Sequence, residues 1–171
     1  MKRVFALIVP LAIVAAGCGS SSTTAPSTTP TKPTFTATLS PSNEVPPITN
    51  AESSGTGNVT ITMDVTKDSA GNVTAASVTF VANLSGFPAG TTVTLGHIHT
   101  GAAGVAGGVV ISANVTSTQL PNGSGSLVLS NSAPALDVVQ AILNNPSQYY
   151  FNLHSTLNPG GFCRGQLSRV S

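Results

Sequence analysis

The sequence predicts an all-β domain, an antiparallel sandwich or barrel, with one short helix near residues 135–144. The first observation is composition: Thr, Ser, Val, Ala, Gly and Asn dominate, and only 6% of the residues are charged. Val and Thr fit the pleated, half-buried surface of a strand. The second observation is the period-two alternation of apolar and hydroxyl residues in several segments separated by turn clusters.

The N-terminus has the pattern of a secretory signal peptide. Two basic residues precede an apolar run at residues 4–16, which is shorter than the roughly 20 residues that a membrane-spanning helix needs. Small residues lead directly to Cys18, which resembles the lipobox of bacterial lipoproteins, although Ala15 stands where Leu, Val or Ile is more usual. The resemblance implies a signal peptide at 1–17 and acylation of Cys18. An ordinary cleaved signal or an uncleaved anchor is the alternative.

Residues 18–33 are predicted to be the lipidated cysteine and a disordered tether. The segment after Cys18 contains only Gly, Ser, Thr, Ala, Pro and Lys, which cannot bury enough apolar surface to order it. Several acyl chains would anchor such a chain stably. We therefore expect an extracytoplasmic protein that is lipid-anchored to a bacterial membrane through Cys18. Gly19 after the cysteine resembles the sorting pattern for the outer membrane or the cell surface.

Alternating segments begin at Thr34, and residues 34–171 are predicted to form one β domain. The first strand covers Phe35 to Leu39, where apolar residues alternate with Thr. Segments 57–67 and 73–84 flank a turn cluster and predict a β-hairpin. Further strands are predicted at residues 91–100, 108–115, 123–130, 149–154 and 162–170.

One helix is predicted between the turn-rich segments near residues 135–144. Pro134 is suited to a helix start, and the apolar residues from Leu136 to Leu143 have mixed helical spacing. The run Asn144-Asn145-Pro146 would then end the helix.

Four short signatures follow one another along the chain. They are Phe35-x-Ala-x-Leu39; Asn43-Glu-Val-Pro-Pro47; His97-Ile-His99 with Gly101 and Gly104; and Asn152-Leu-His154 with Asn158-Pro-Gly-Gly161 and Arg164-Gly-Gln-Leu167. In this order they resemble the CHRD domain, a family first described in chordin and found widely in secreted bacterial proteins. The resemblance implies an immunoglobulin-like or related Greek-key β-sandwich, and no established catalytic activity. Phe162 and Cys163 stand where the family usually has Glu-Ile.

The three histidines of the chain all lie in these signatures. His97 and His99 are two residues apart on a predicted strand, so they point to one face with Cα atoms roughly 6.5–7 Å apart. His154 on another strand could be a third metal ligand, and Asn152 on its face could orient an imidazole. Three imidazole nitrogens suit Cu or Zn. The alternative is a set of packed or hydrogen-bonded sheet histidines.

Glu44 and Arg164 are among the few charges of the domain and lie near its start and its end. We predict that they form a structural ion pair that ties the first strand region to the last. The alternative is two separate solvated charges, since paired surface charges contribute little stability.

These features favour a non-catalytic, lipid-anchored CHRD module that serves a binding or structural role toward an unknown protein or matrix partner. The alternative is a Cu- or Zn-binding protein that uses His97, His99 and His154, with redox activity as an option. Nucleic-acid binding is disfavoured because it needs a Lys/Arg patch, which the sequence lacks. A hydrolase is disfavoured because no Gly-x-Ser-x-Gly and no plausible triad occur.

Overall fold

Residues 29–170 are the part of the chain that the computed structural model describes, so the predicted signal peptide, Cys18 and the first part of the tether lie outside it. No helix in residues 29–170 has the length and apolar character to span a membrane. Short 3-10 helices occupy Pro41–Asn43, Ala51–Ser54 and Pro146–Gln148. The strands and the α-helix are β1 (Thr29–Thr31), β2 (Thr34–Leu39), β3 (Thr56–Lys67), β4 (Val73–Ser85), β5 (Thr91–Thr100), β6 (Val109–Ser112), β7 (Thr118–Leu120), β8 (Gly125–Asn131), α1 (Leu136–Asn144), β9 (Tyr149–Ser155), β10 (Cys163–Gln166) and β11 (Ser168–Arg169).

Two antiparallel sheets form the sandwich. The first sheet has the order β11-β2-β3-β4-β8, with β1 paired to the far end of β3. The second has the order β10-β9-β5-β6, with β7 paired to β5. The predicted hairpin is β3–β4, and the predicted helix is α1, which packs against β4. The all-β sandwich fold is therefore confirmed.

The core lies between the sheets because strand register lines up their apolar residues. Phe35, Ile61 and Phe80 are neighbours across β2, β3 and β4, and all three are fully buried. From the second sheet, Phe151 stacks on Phe80 with ring centroids 5.5 Å apart. Burying each such side chain stabilises the fold by roughly 1.5–3 kcal/mol.

The predicted last strand, residues 162–170, is instead two strands that belong to different sheets. β10 pairs with β9, whereas β11 pairs with β2. Where the chain passes from one sheet to the other, the backbones of Gly165 and Thr38 lie very close together. A β-carbon at Gly165 would lie 2.2 Å from the carbonyl oxygen of Thr38, so the position needs glycine. Backbone hydrogen bonds of 3.0 and 3.2 Å between Ser40 and Arg164 join the sheets at this point. Phe162 is fully buried and packs edge-on against Phe87 in the core.

Three smaller differences concern strand limits. Thr29–Thr31, inside the predicted tether, pairs with β3, so β pairing begins before Thr34. The strand predicted at 108–115 is confined to β6, and the chain after it has a left-handed residue, Asn114, with φ 52°. β7 was not predicted, since it pairs only three residues with β5.

Candidate metal centre

The histidines lie on the face of the second sheet that points away from the core. Ile98, between His97 and His99, is fully buried in the core, and so is Leu153, before His154. Residues two apart on a strand share a face, so all three histidines lie on the opposite side from Ile98 and Leu153. The register places Asn152 of β9 directly across from His97 of β5.

The three imidazoles converge on a common region. His97 Nδ1 and His154 Nε2 are 3.0 Å apart, and one ring nitrogen from each of the three histidines lies within 4.8 Å of the others. Ring centroids are separated by 4.9 Å for His97 and His154 and by 6.3 Å for His99 and His154. The arrangement expected from the sequence is present, while metal binding itself stays a prediction.

Backbone carbonyls orient two of the rings. His99 Nδ1 lies 3.0 Å from the Gly107 oxygen, and His154 Nδ1 lies 2.8 Å from the Pro159 oxygen. A carbonyl oxygen can only accept, so each Nδ1 carries the proton and each Nε2 keeps a lone pair. This arrangement is common around metal-binding histidines. The orienting role of Asn152 stays a prediction beside these two carbonyls.

Gly107 is needed at its position because the loop after β5 folds back tightly. A β-carbon there would lie 1.8 Å from the carbonyl oxygen of Thr100. Only glycine lets the backbone approach this closely and present its carbonyl oxygen to His99.

Burial favours the neutral form of His97 and His99. Desolvation, with smaller contributions from His154 and His99, lowers the pKa of His97 to about 4. Burial also lowers the pKa of His99, although the hydrogen bond to the Gly107 carbonyl opposes this shift. Neutral imidazoles near pH 7 have a free lone pair, which is the form that binds metals.

Tyr150 and Arg164 support the ring of His99. Tyr150 stacks on His99 with centroids 4.8 Å apart and planes 7° from parallel, and the Arg164 guanidinium carbon lies 3.3 Å from the Tyr150 ring centroid. Arg164 Nη2 also donates to the carbonyl oxygens of Ala102 (3.0 Å) and Val105 (2.8 Å). Arg164 thus holds the loop that carries Gly107. Sequence reasoning missed Tyr150, although its position two residues before Asn152 puts it on the same strand face.

The ion pair predicted between Glu44 and Arg164 stays a prediction: the Arg164 charge acts on Glu44, while Arg164 Nη2 donates to carbonyl oxygens of the loop after β5. Glu44 is buried, and its Oε1 has no hydrogen-bond partner within the described residues. Burial raises the pKa of Glu44 to about 7, while the nearby charge of Arg164 and a hydrogen bond from Asn152 oppose the shift. The start and the end of the domain are joined by backbone bonds of Ser40 and by Asn43 Nδ2, which donates to the Arg164 carbonyl oxygen at 3.1 Å.

Glu44 is a carboxyl group beside the cluster that the sequence did not indicate. Asn152 hydrogen bonding lowers the pKa of Glu44 and raises that of His99, so the amide lies between them. A β-carbon at Gly161 would lie 2.7 Å from Asn152 Nδ2 and 2.8 Å from Glu44 Oε1. The absence of a side chain at Gly161 therefore lets the carboxyl and the amide come together.

A buried network around Glu52 holds the loop beyond β9. Ser155 Oγ donates to Glu52 Oε2 at 2.7 Å, and Asn158 Nδ2 donates to the same oxygen. The Asn158 backbone N–H in turn donates to Ser155 Oγ at 2.9 Å. The neighbouring Pro159 carbonyl is the one that orients His154, so Glu52 positions this ligand indirectly. Glu52 was also missed, because nothing local in the sequence links it to β9.

Comparison with known proteins agrees with the fold and the signatures. The family model described as "CHRD domain" matches residues 35–167, which is most of the chain. No curated protein and no solved structure gave a significant match. The matched segment runs from the first residue of the first signature to the last residue of the fourth, so this chain belongs to the CHRD domain family.

Proposed function

We propose that this chain is an extracytoplasmic, lipid-anchored CHRD module that binds a Cu or Zn ion through His97, His99 and His154. Membership of the CHRD family supports a non-catalytic binding or structural module. The observation that carries the metal proposal is the convergence of three imidazoles with ligating nitrogens within 4.8 Å.

The donor set fits a borderline transition metal. Two nitrogens each bound at about 2.0–2.1 Å to one ion lie roughly 3 Å or slightly more apart, close to the 3.0 Å between His97 Nδ1 and His154 Nε2. His99 Nε2 is buried with no partner in the described part of the chain, and a bound ion would complete its coordination. Calcium and magnesium prefer oxygen ligands, whereas imidazole suits Zn and Cu.

Metal analysis tests the proposal directly. The full chain without a histidine tag, loaded with Cu²⁺ or Zn²⁺ and dialysed, should retain about one ion per chain by elemental analysis. His154→Ala should weaken binding by more than about 100-fold, since loss of outer hydrogen-bond partners alone costs about 10–100-fold. Asp64→Asn, on the other sheet and paired with Lys32, is the control and should bind like the wild type. A wild-type chain that retains no stoichiometric metal would contradict the proposal.

The lipid anchor is tested at Cys18. When the full chain is produced in a bacterial host, mass spectrometry should find a mature N-terminus at an acylated Cys18, and the protein should sediment with membranes. Cys18→Ser should lose both the acyl mass and the sedimentation, because the thiol is the acylation site. An unmodified N-terminus beyond residue 18 in the wild type would exclude this anchor. The proposed extracytoplasmic location is supported by the signal-peptide pattern of residues 1–17.

A further inference from the structure

We propose that the metal centre keeps a fourth coordination position for a small protic ligand, water in the resting protein, which Glu44 and Asn152 hold by accepting its hydrogens. This inference rests on the metal site proposed above. It makes the site an open one, like zinc sites that bind water or substrate beside three protein ligands, rather than a closed structural site.

Three unsatisfied acceptors gather at this point. Within residues 29–170, the buried side-chain polar atoms without a hydrogen-bond partner are Glu44 Oε1, His99 Nε2 and Asn152 Oδ1. Buried polar atoms are normally satisfied, and unsatisfied ones are few in native proteins. Asn152 links the other two, because its amide influences the pKa of both Glu44 and His99. Their grouping at one place indicates a ligand that is positively charged, rich in hydrogen-bond donors, or both.

A metal ion with one bound water matches this set. The ion takes the lone pair of His99 Nε2, because Nδ1 of that ring already donates to Gly107. The water has two O–H groups, and Asn152 Oδ1 and Glu44 Oε1 are the two remaining acceptors. Asn152 is central, since it lies across from His97 on β5 and across from Arg164 on β10.

The acceptors are held in place by the backbone rather than by chance side-chain positions. Gly161 lets Glu44 and Asn152 pack against its Cα, where a β-carbon would overlap both. The carboxyl group also borders a cavity of about 360 Å³ that is lined by Asn43, Arg164 and Gln166 among others.

Because Glu44 and Asn152 offer only hydrogen-bond acceptors at the fourth coordination position, they favour some metal ligands over others. Water, hydrogen peroxide and small alcohols carry hydrogens that Glu44 and Asn152 accept. An aprotic anion such as azide offers only lone pairs and negative charge to the same oxygens, so it is disfavoured.

The Cu²⁺-loaded full chain tests this inference with two measurements. Transfer into oxygen-17 water should broaden the copper EPR signal of the wild type, because a bound water exchanges into the coordination sphere. At pH 8, where Glu44 is ionised, azide, followed by its charge-transfer band, should bind at least about tenfold more tightly to Glu44→Gln than to the wild type, since removing one nearby charge is worth more than the 1.4 kcal/mol of a tenfold change. Asp64→Asn, the same chemical change at a remote exposed site, should leave azide affinity unchanged.

Two results would overturn the inference: no oxygen-17 broadening in the copper-loaded wild type, or equal azide affinity in the wild type and Glu44→Gln. The oxygen-17 measurement needs no variant, so it decides the question even if Glu44→Gln does not fold. If either result is found in a chain that holds stoichiometric copper, the proposed metal site itself is not contradicted. Failure of the metal site would instead appear as a chain that retains no copper.

Discussion

Replacing Glu52 by alanine is expected to lower the free energy of unfolding by about 1–3 kcal/mol. The change removes the acceptor of the buried Ser155 Oγ, and a buried donor left without a partner costs about 1–3 kcal/mol. The half-buried Asn158 Nδ2 also loses Glu52 but keeps Asn50 Oδ1 as an acceptor at 3.3 Å. Metal affinity should also fall about 10–100-fold, because the loop then no longer fixes the Pro159 carbonyl that orients His154. Chemical denaturation of the metal-free chain and metal titration measure the two effects.

Glu52→Gln provides the matched control. It keeps the shape of the side chain and one oxygen that can accept from Ser155 and Asn158, so the loss should be much smaller. Ser155→Ala combined with Glu52→Ala should be less destabilising than the sum of the single changes, because both remove the same hydrogen bond. An alanine variant as stable as the wild type would show that the network contributes nothing to holding the loop.

Glu44→Gln is expected to stabilise the metal-free chain by about 3 kcal/mol at pH 8 and to have little effect at pH 4.5. Burial raises the pKa of Glu44 in the folded chain to about 7 from an ordinary value of 4.5. Each pKa unit corresponds to about 1.4 kcal/mol, so the ionised carboxylate destabilises the fold by about 3 kcal/mol above pH 7. This penalty disappears as pH falls from 7 to 4.5, because the folded state takes up a proton first.

Comparing the free energies of unfolding of the wild type and Glu44→Gln separates the effect of Glu44 from that of the histidines. His97 has a lowered pKa of about 4, so its contribution has the opposite sign: stability falls as pH drops from 6.5 toward 4, where the unfolded chain binds the proton more readily. That contribution is present in both chains and cancels in the difference. Unfolding with denaturant at several pH values, with chelator present, gives the difference directly. A difference in unfolding free energy between the two chains that is the same at pH 4.5 and at pH 8 would contradict the raised pKa of Glu44.

Much of the fold could be predicted because strand patterns are local. Alternation in β2, β3 and β4 shows directly which residues face the core, and the turn cluster after Lys67 places the hairpin. The last strand was predicted wrongly because no turn cluster interrupts residues 162–170, while its two halves join different sheets. That division depends on close packing at Gly165 against Thr38, which no local pattern shows.

The site was predicted only in part for the same reason. The spacing of His97 and His99 determines that they share a face, and the position of Asn152 relative to His154 determines that they do too. Glu44 and Glu52 reach the site through loops, and the sequence around them contains no signal for that contact. The hydrogen bonds from Arg164 to carbonyl oxygens of the loop after β5 were likewise beyond sequence reasoning, because that loop is far from Arg164 in the chain.

By itself, the sequence determined the alternating strands, the single helix and the position of every histidine within the ordered family signatures. Only the tertiary structure decided the register of β5 against β9, which brings His154 to His97, and the carbonyls that set the ring orientations. The physical reason is that side-chain direction along a strand depends on neighbouring residues. Register and loop closure depend instead on packing between residues far apart in the chain.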